Sequence, residues 1–186
     1  KGINIDMTPV KSGERYFYVW SHRKNIGTPL DTGSMLMIAE FDPVHPERLI
    51  SEPECLSRPL YGFENTEHTI NNEGPYAFYY HNKIYLAYSG GDARGYLYAI
   101  GMLTANDGDD LCDLSVWEKA KTPIASFATI PGEYGPGHNS FFWDRDQNLW
   151  IAYHAVTSFE EKIVSSGMRR VYFEQDKTPR FDVIVE

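Results

Sequence analysis

The sequence predicts an all-β fold that forms part of a β-propeller, with about three blades in this chain. Aromatic residues make up 15% of the 186 positions, 13 of them tyrosines, which is typical of β structure. A pattern also recurs three times, in which a polar residue precedes an aromatic-rich strand that ends in Ser or His. The recurrences begin at Asp6, Glu73 and His138, which are 67 and 65 residues apart. Such a period suits a four-stranded propeller blade.

The propeller interpretation makes a specific prediction about these three residues. The innermost strands of a propeller run beside a central axis, so equivalent positions of successive blades converge. We therefore expect Asp6, Glu73 and His138 to meet at one end of the channel. Three unrelated hairpins of a β-sandwich are the alternative, but the strands after each of these residues also align, which favours the propeller.

The first blade is predicted from alternation and turn signals. Residues 1–21 form a hairpin that turns at Ser12-Gly13, because apolar residues alternate before the turn and Tyr16, Tyr18 and Trp20 share one face after it. A loop rich in Gly and Pro follows at 22–33. The later predicted strands of this blade are 34–41 and a short edge strand at 48–51. Residues 52–71 then connect two blades, and loops of this length are often functional.

The second and third blades repeat this layout, and no segment predicts a helix. In the second blade a two-residue turn at His81-Asn82 joins two aromatic strands. The third blade has its turn at 144–147 and contains His154 at the end of an inner strand. The predicted strands are 76–80, 83–89, 96–104 and 117–119 in the second blade, and 148–154, 168–173 and 181–185 in the third.

Composition and charge exclude several partners. The net charge is −9, whereas binding to a nucleic-acid backbone needs a basic face. No run of about 20 apolar residues exists that would span a membrane. The two cysteines, Cys55 and Cys112, do not make a disulfide framework. The sequence therefore predicts no nucleic-acid partner and no membrane partner, and we expect no organic cofactor.

Two carboxylates that meet a histidine at the end of a channel could carry out acid–base chemistry. Glu73 is the better proton donor, because Gly74 allows a ligand to approach closely and Pro75 stiffens the turn. A lone carboxylate at the start of a strand more often has a turn or capping role. Only the repeat favours a catalytic role for Asp6 and Glu73.

Several motifs give the chain a family resemblance. They are Ile5-Asp6-Met7-Thr8-Pro9, Tyr18-Val19-Trp20-Ser21, Asn72-Glu73-Gly74-Pro75, Gly135-Pro136-Gly137-His138-Asn139-Ser140 and Tyr153-His154-Ala155. With these motifs the chain resembles glycoside hydrolase family 43, which comprises five-bladed β-propeller arabinofuranosidases, xylosidases and arabinanases. The resemblance extends over essentially the whole chain and is strongest to the α-L-arabinofuranosidase branch.

The resemblance implies a role for each of the three residues. Glu73 matches the general acid of the family, and Asp6 matches the aspartate that orients this acid and tunes its affinity for the proton. His138 matches the histidine on the propeller axis, which in many relatives holds a metal ion, often calcium, directly or through water. We therefore expect His138 to bind a metal or substrate.

Two further residues are candidates for binding substrate. Trp20 lies near the expected mouth of the channel, where its ring could stack on a sugar. Arg169 or its neighbour Arg170 begins a strand after a glycine, and one of the two is expected to point inward.

The resemblance also implies an inverting mechanism, which needs a second carboxylate to activate water. In the family this base is an aspartate upstream of the residue that Asp6 matches, and this chain contains no match to it. We therefore expect residues 1–186 to be a partial catalytic domain, the later three-fifths of the propeller. The earlier blades or a second chain would complete it, in agreement with the repeat count.

The expected function is thus that of an inverting exo-α-L-arabinofuranosidase acting on arabinose- or xylose-containing plant polysaccharides or oligosaccharides. A β-xylosidase is one alternative, and a carbohydrate-binding propeller without catalysis is another. The presence of both Asp6 and Glu73 argues against the latter, because a binding site needs no acid pair. Either an extracellular or a cytoplasmic location is compatible with the sequence.

Overall fold

The protein, as a computed structural model that describes residues 1–158, 160–161 and 163–183, is built from antiparallel sheets. Two sheets have four strands, a third has three, and a two-stranded hairpin follows. The strands of the first sheet are β1 (Ile3–Ser12), β2 (Arg15–Arg23), β3 (Met35–Glu40) and β4 (Glu54–Ser57). Those of the second are β5 (Asn72–Tyr80), β6 (Lys83–Gly90), β7 (Ala99–Asn106) and β8 (Glu118–Lys119). The third contains β9 (Tyr134–Trp143), β10 (Leu149–Ser158) and β11 (Ile163–Arg170), and β12 (Tyr172–Phe173) pairs with β13 (Pro179–Arg180).

The three large sheets are blades of a β-propeller, as the sequence predicts. Their strands are ordered as neighbours along the chain, and the first strand of each blade contacts that of the next, β1 with β5 and β5 with β9. Within the described residues the helical segments are short 3₁₀ turns at Gly62–Glu64 and Leu114–Val116. No helix in the part of the chain described by the structure is long and apolar enough to cross a membrane.

The period-two alternation of the strands creates a core on each side of the second blade. In β6, Ile84, Leu86 and Tyr88 face the first blade, whereas Tyr85 and Ala87 face the third. Because successive side chains of a strand point to opposite faces, a strand buried on both faces must be apolar throughout. The central residues of β6, Ile84 to Tyr88, meet this requirement, and the second blade is therefore the middle layer of the described fold.

The outer faces of the first and third blades expose apolar side chains. On the first blade a groove of about 570 Å³ lies over β1 and β2, and Met7 is 61% exposed. On the third blade, Met168 is 64% exposed. The residues that line the groove are Asn4, Ile5, Asp6, Met7, Tyr18, Trp20, Pro46, Glu47 and Leu49.

Strand boundaries differ from the prediction at the outer edges of the blades. The fourth strand of the first blade is Glu54–Ser57 instead of 48–51, where only Leu49 bridges to Phe41. The tight turn after Phe41 lets residues 48–50 reach only the end of β3, while Glu54–Ser57 pairs with its middle. The last strand predicted in the third blade, 181–185, is also displaced. Pro179–Arg180 makes the pairing, and residues 184–186 lie outside the described residues.

Candidate active site

A β-bulge interrupts the innermost strand of every blade at the same place. The pairing of β1 with β2 shifts between Ile5 and Thr8, and that of β5 with β6 shifts between Glu73 and Tyr76. The pairing of β9 with β10 shifts in the same way after Gly137. Bulges re-aim side chains and are frequent beside active sites.

The first residue of each bulge has a left-handed backbone. The φ angles are 56° at Asp6, 57° at Gly74 and 50° at His138. Left-handed non-glycine residues are uncommon and tend to occur at functional sites, and Asp and His tolerate this conformation better than most residue types. The structurally equivalent residues are therefore Asp6, Gly74 and His138. This corrects the prediction by one position, because Glu73 is equivalent to Ile5 and Gly137.

These three bulge residues meet at one point beside the axis. The backbone N–H of Gly74 donates to Asp6 Oδ2 at 3.2 Å, and His138 Nε2 lies 3.9 Å from Asp6 Oδ1. A Cβ atom placed on Gly74 would lie 3.4 Å from His138 Nδ1, so the imidazole packs directly against the glycine. The structure thus brings Asp6, the start of the Glu73 strand and His138 together at one end of the channel.

The space next to this point runs along the inner strands. It has a volume of about 580 Å³ and is lined only by residues of β1, β5 and β9. Asn139 lies in its wall, 5% exposed, and neither polar atom of its amide has a hydrogen-bond partner among the described residues. The residues that line the space are Asp6 to Pro9, Gly74 to Ala77 and His138 to Ser140.

The side chain of Glu73 is held by a buried tyrosine. Tyr98 is fully buried, and its O–H donates to Glu73 Oε1 at 2.8 Å. Burial raises the pKa of Tyr98 well above its usual value, and the charge of Glu73 adds to the rise, so the phenol stays protonated. The charge of Glu73 also acts on His154 and on Arg23. The pKa of Arg23 is raised mainly by its hydrogen bond to Asp31, with a smaller contribution from Glu73.

His154 lies behind the site. Its ring centroid is 5.7 Å from that of Tyr98 and 6.5 Å from that of His138. Burial lowers the pKa of His154, and the neighbouring His138 lowers it further. The sequence analysis expected a packing or hydrogen-bonding role, and the stacking on Tyr98 agrees with packing.

A buried ionic network fixes the start of the Glu73 strand. Glu64 is completely buried, and its carboxylate accepts hydrogen bonds from Asn72 Nδ2 at 2.9 Å and from the Tyr88 hydroxyl at 2.7 Å. It also accepts bonds from two backbone N–H groups of its own loop and pairs with Lys119. Ser57 of β4 donates to Asn72 Oδ1 at 3.0 Å. The residue directly before Glu73 is therefore anchored to the first blade through Ser57 and to the connecting loop through Glu64.

The two other predicted substrate-binding residues lie apart from this point. Trp20 lies in the outer groove that Asp6 also lines, and its indole N–H donates to Asn4 Oδ1 at 3.1 Å. Arg169 lines another cavity, where it donates to Glu133 at 2.8 Å and to the Tyr153 hydroxyl at 2.7 Å. Both substrate-binding roles stay predictions. The guanidinium of Arg169 is already engaged by Glu133.

The residues present do not by themselves fit a calcium ion. Ca²⁺ takes six to eight oxygen ligands. Near the axis His138 offers an imidazole and Asp6 one carboxylate, and no group of three His, Cys, Asp or Glu side chains among the described residues could hold a metal. The metal role of His138 stays a prediction, and we assign no chemical step to a metal.

Sequence reasoning missed the residues that support the site. Tyr98 lies just before β7, where an aromatic residue indicates only a core position, and Glu64 lies in the long connection between blades. The length of that connection was the one available signal, and it pointed to the loop but not to Glu64. Partners so distant in sequence meet only through the packing of the blades.

Comparison with known proteins agrees with the fold. The model of the glycosyl hydrolases family 43 matches residues 2–179. An extracellular exo-α-(1→5)-L-arabinofuranosidase of Streptomyces chartreusis is 34% identical over 82% of this chain and 45% of its own length. A protein with the same description from Streptomyces avermitilis is 28% identical over 98% of this chain and 38% of its own length.

A solved structure gives the same result in three dimensions. The α-L-arabinofuranosidase of Lactobacillus brevis superposes with a TM-score of 0.82 and 28% identity, over 96% of this chain and 55% of that protein. The chain thus spans less than half the length of the two Streptomyces relatives and about half of this solved structure.

Proposed function

Because this chain belongs to glycosyl hydrolases family 43, we propose that it supplies the proton-donating side of an inverting exo-α-L-arabinofuranosidase. The proposal rests on the contacts between side chains and backbone at the junction of the first two blades. There the Asp6 carboxylate accepts the Gly74 N–H, and the adjacent Glu73 is held by Tyr98 beside the axis. A turn-forming carboxylate needs neither a buried tyrosine partner nor a second acid at the same point.

The chemistry follows from this pair. Protonated Glu73 gives its proton to the glycosidic oxygen as the bond to the anomeric carbon breaks. The carboxylate of Asp6 orients the Glu73 strand through the Gly74 N–H and adds negative charge near the developing oxocarbenium ion. A water molecule attacks the anomeric carbon from the opposite face and loses its proton to a second carboxylate. In inverting enzymes this base lies about 6.5–9.5 Å from the acid.

We assign that second carboxylate to blades outside this chain. The outer apolar faces of the first and third blades, exposed at Met7 and Met168, are suited to pack against further blades of a closed ring. The length of the solved Lactobacillus brevis enzyme supports this assignment, since the part that this chain does not cover has room for about two more blades. Residues 1–186 taken alone are accordingly expected to hydrolyse substrate negligibly, and full activity from them would contradict the proposal.

The substrate we propose is an oligosaccharide or polysaccharide that carries terminal α-L-arabinofuranosyl units. The support is that the two Streptomyces relatives are exo-α-(1→5)-L-arabinofuranosidases. Both Streptomyces proteins are extracellular enzymes, which also favours an extracellular location here.

The test is hydrolysis by the complete protein, meaning this chain together with the segments that close its ring. 4-Nitrophenyl α-L-arabinofuranoside should be cleaved in preference to 4-nitrophenyl β-D-xyloside, and ¹H NMR should show the first-formed arabinose with inverted anomeric configuration. Glu73→Gln should lower kcat by about 10²–10⁴-fold and leave binding of arabino-oligosaccharides intact. The fully exposed Glu14→Gln, in the hairpin turn away from the site, is the control. A protein that only binds sugar would show no turnover before the substitution.

A further inference from the structure

Tyr98 occupies a pocket built around its ring. Gly137 forms one wall so closely that a Cβ atom there would lie 2.0 Å from Tyr98 Cε1. His154 stacks on the ring, with an interplanar angle of 26°. The ring is fully buried and cannot turn away without displacing the inner strand of the third blade. The position of the phenolic oxygen is therefore determined by packing.

The hydroxyl of Tyr98 belongs to a chain of hydrogen bonds that starts at a fixed donor. The chain begins at the backbone N–H of His138, which donates to Ser89 Oγ at 2.8 Å. A backbone N–H can only donate, so Ser89 must accept there and is free to donate its own hydrogen to the oxygen of Tyr98. Tyr98 then donates to Glu73 Oε1 at 2.8 Å.

We propose that Tyr98 is a positioning residue that keeps Glu73 Oε1 as a hydrogen-bond acceptor, so that the proton given to the leaving group resides on Oε2. This inference rests on the proposed function, in which Glu73 is the general acid. Without the tyrosine, the carboxylic acid could carry its proton on either oxygen and rotate about its last bond. With the tyrosine in place, the proton of Glu73 is always on Oε2 and its O–H bond points in one direction.

The groups around Tyr98 support this assignment. Ser89 is fully buried, so water does not compete for the chain. The raised pKa of Tyr98 keeps the phenol protonated over the range in which glycosidases work. In the reaction the O–H bond of Glu73 breaks, the proton passes to the glycosidic oxygen, and Oε1 continues to accept from Tyr98. The charge left on Glu73 is thus stabilised by a bond already in place, and solvent later returns the proton.

The kinetic test is Tyr98→Phe in the complete protein, with two substrates that differ only in the leaving group. Departure of 4-nitrophenolate needs little acid assistance, whereas departure of a sugar alcohol from an arabino-oligosaccharide needs much. We expect kcat on the oligosaccharide to fall by about 10–100-fold, a part of the usual general-acid contribution. For 4-nitrophenyl α-L-arabinofuranoside we expect a loss under about 3-fold, and KM should change little for both.

Tyr85→Phe is the matched control. Tyr85 is also buried, and its hydroxyl donates to the Lys177 carbonyl at 2.8 Å, away from Glu73. This variant should lose similar stability and retain the kcat values of the unsubstituted protein. An equal loss on both substrates in Tyr98→Phe would indicate a purely structural role and would overturn the proposal. So would an unchanged kcat on the oligosaccharide.

A neutron structure of the unsubstituted protein decides the hydrogen positions without any turnover. The deuteron of Tyr98 should lie between its oxygen and Glu73 Oε1, and any deuteron on Glu73 should be on Oε2. A Tyr98 deuteron that points to Ser89 would refute the inference even if the protein is an active hydrolase. Absence of hydrolysis together with the expected deuterons would refute the proposed function instead and leave the orienting contact established.

Discussion

The carboxylate of Asp6 accepts a hydrogen bond from the backbone N–H of Gly74 at 3.2 Å, across 68 residues of sequence. Both residues are the first of a β-bulge and both have a left-handed backbone. The bond therefore couples the inner strand of one blade to that of the next, directly beside Glu73. Substitution of Asp6 or Gly74 should therefore change both the stability of the fold and the position of Glu73.

Two substitutions of Asp6 should separate its backbone role from its charge. Asn tolerates the left-handed conformation and can still accept from Gly74, so Asp6→Asn should change the free energy of unfolding by under about 0.5 kcal/mol. Asp6→Ala loses both properties and should cost about 1–2 kcal/mol. Urea denaturation measures the difference. In the complete protein, Asp6→Asn should still lower kcat, because the charge beside Glu73 is gone. Equal stabilities of the two variants would contradict this account.

Replacement of Gly74 should be costly although it adds only a methyl group. The φ of 57° is unfavourable for Ala by about 1–2 kcal/mol, whereas the new Cβ would only contact the His138 ring, 3.4 Å from Nδ1. Gly62→Ala is the control, because a Cβ there meets nothing within 4 Å. Thermal unfolding should show a clear decrease in Tm for Gly74→Ala alone. Similar Tm values for both variants would mean that the bulge relaxes without strain.

The buried network at Glu64 predicts a large loss of stability. Glu64→Gln removes the charge that Lys119 faces in the interior, and breaking a buried pair in this way should cost about 3 kcal/mol. The exposed Glu47→Gln should change stability by under about 0.5 kcal/mol. Chemical denaturation of both variants tests this, and a small effect at Glu64 would mean that its hydrogen bonds, and not its charge, hold the connection.

The stability should depend on pH through His154. Burial lowers the pKa of His154 below 6.5, so the unfolded chain takes up this proton at a higher pH than the folded one. The stability contribution is complete above pH 6.5 and decreases as the pH falls below that value. Glu73 opposes the shift and His138 adds to it, and both face the imidazole.

The variant that tests this is His154→Phe, whose unfolding free energy should decrease less between pH 7 and pH 5. Burial also lowers the pKa of His22. His22 should therefore contribute a separate part of the pH dependence, and this part should remain in the His154→Phe variant. His45→Gln, at an exposed turn, is the control and should retain the full pH dependence. A pH profile unchanged by His154→Phe would exclude His154 as the source.

The repeat in the sequence was sufficient to predict the blades and the meeting of Asp6 and His138. It was off by one residue at Glu73, because equal spacing does not reveal on which side of a bulge a residue falls. The predicted edge strand at 48–51 failed for a related reason. Its composition suits a strand, but the turn after Phe41 determines how far it can pair.

The sequence by itself determined the fold class, the number of blades in this chain and the acidic residues at the inner strands, because alternation and period are local properties of the chain. Only the tertiary structure decided which partners act on those acids. Tyr98 reaches Glu73 and the Gly74 N–H reaches Asp6 because blades pack side by side. That packing joins residues whose separation along the chain carries no signal, and it decides which oxygen of Glu73 accepts the Tyr98 hydroxyl.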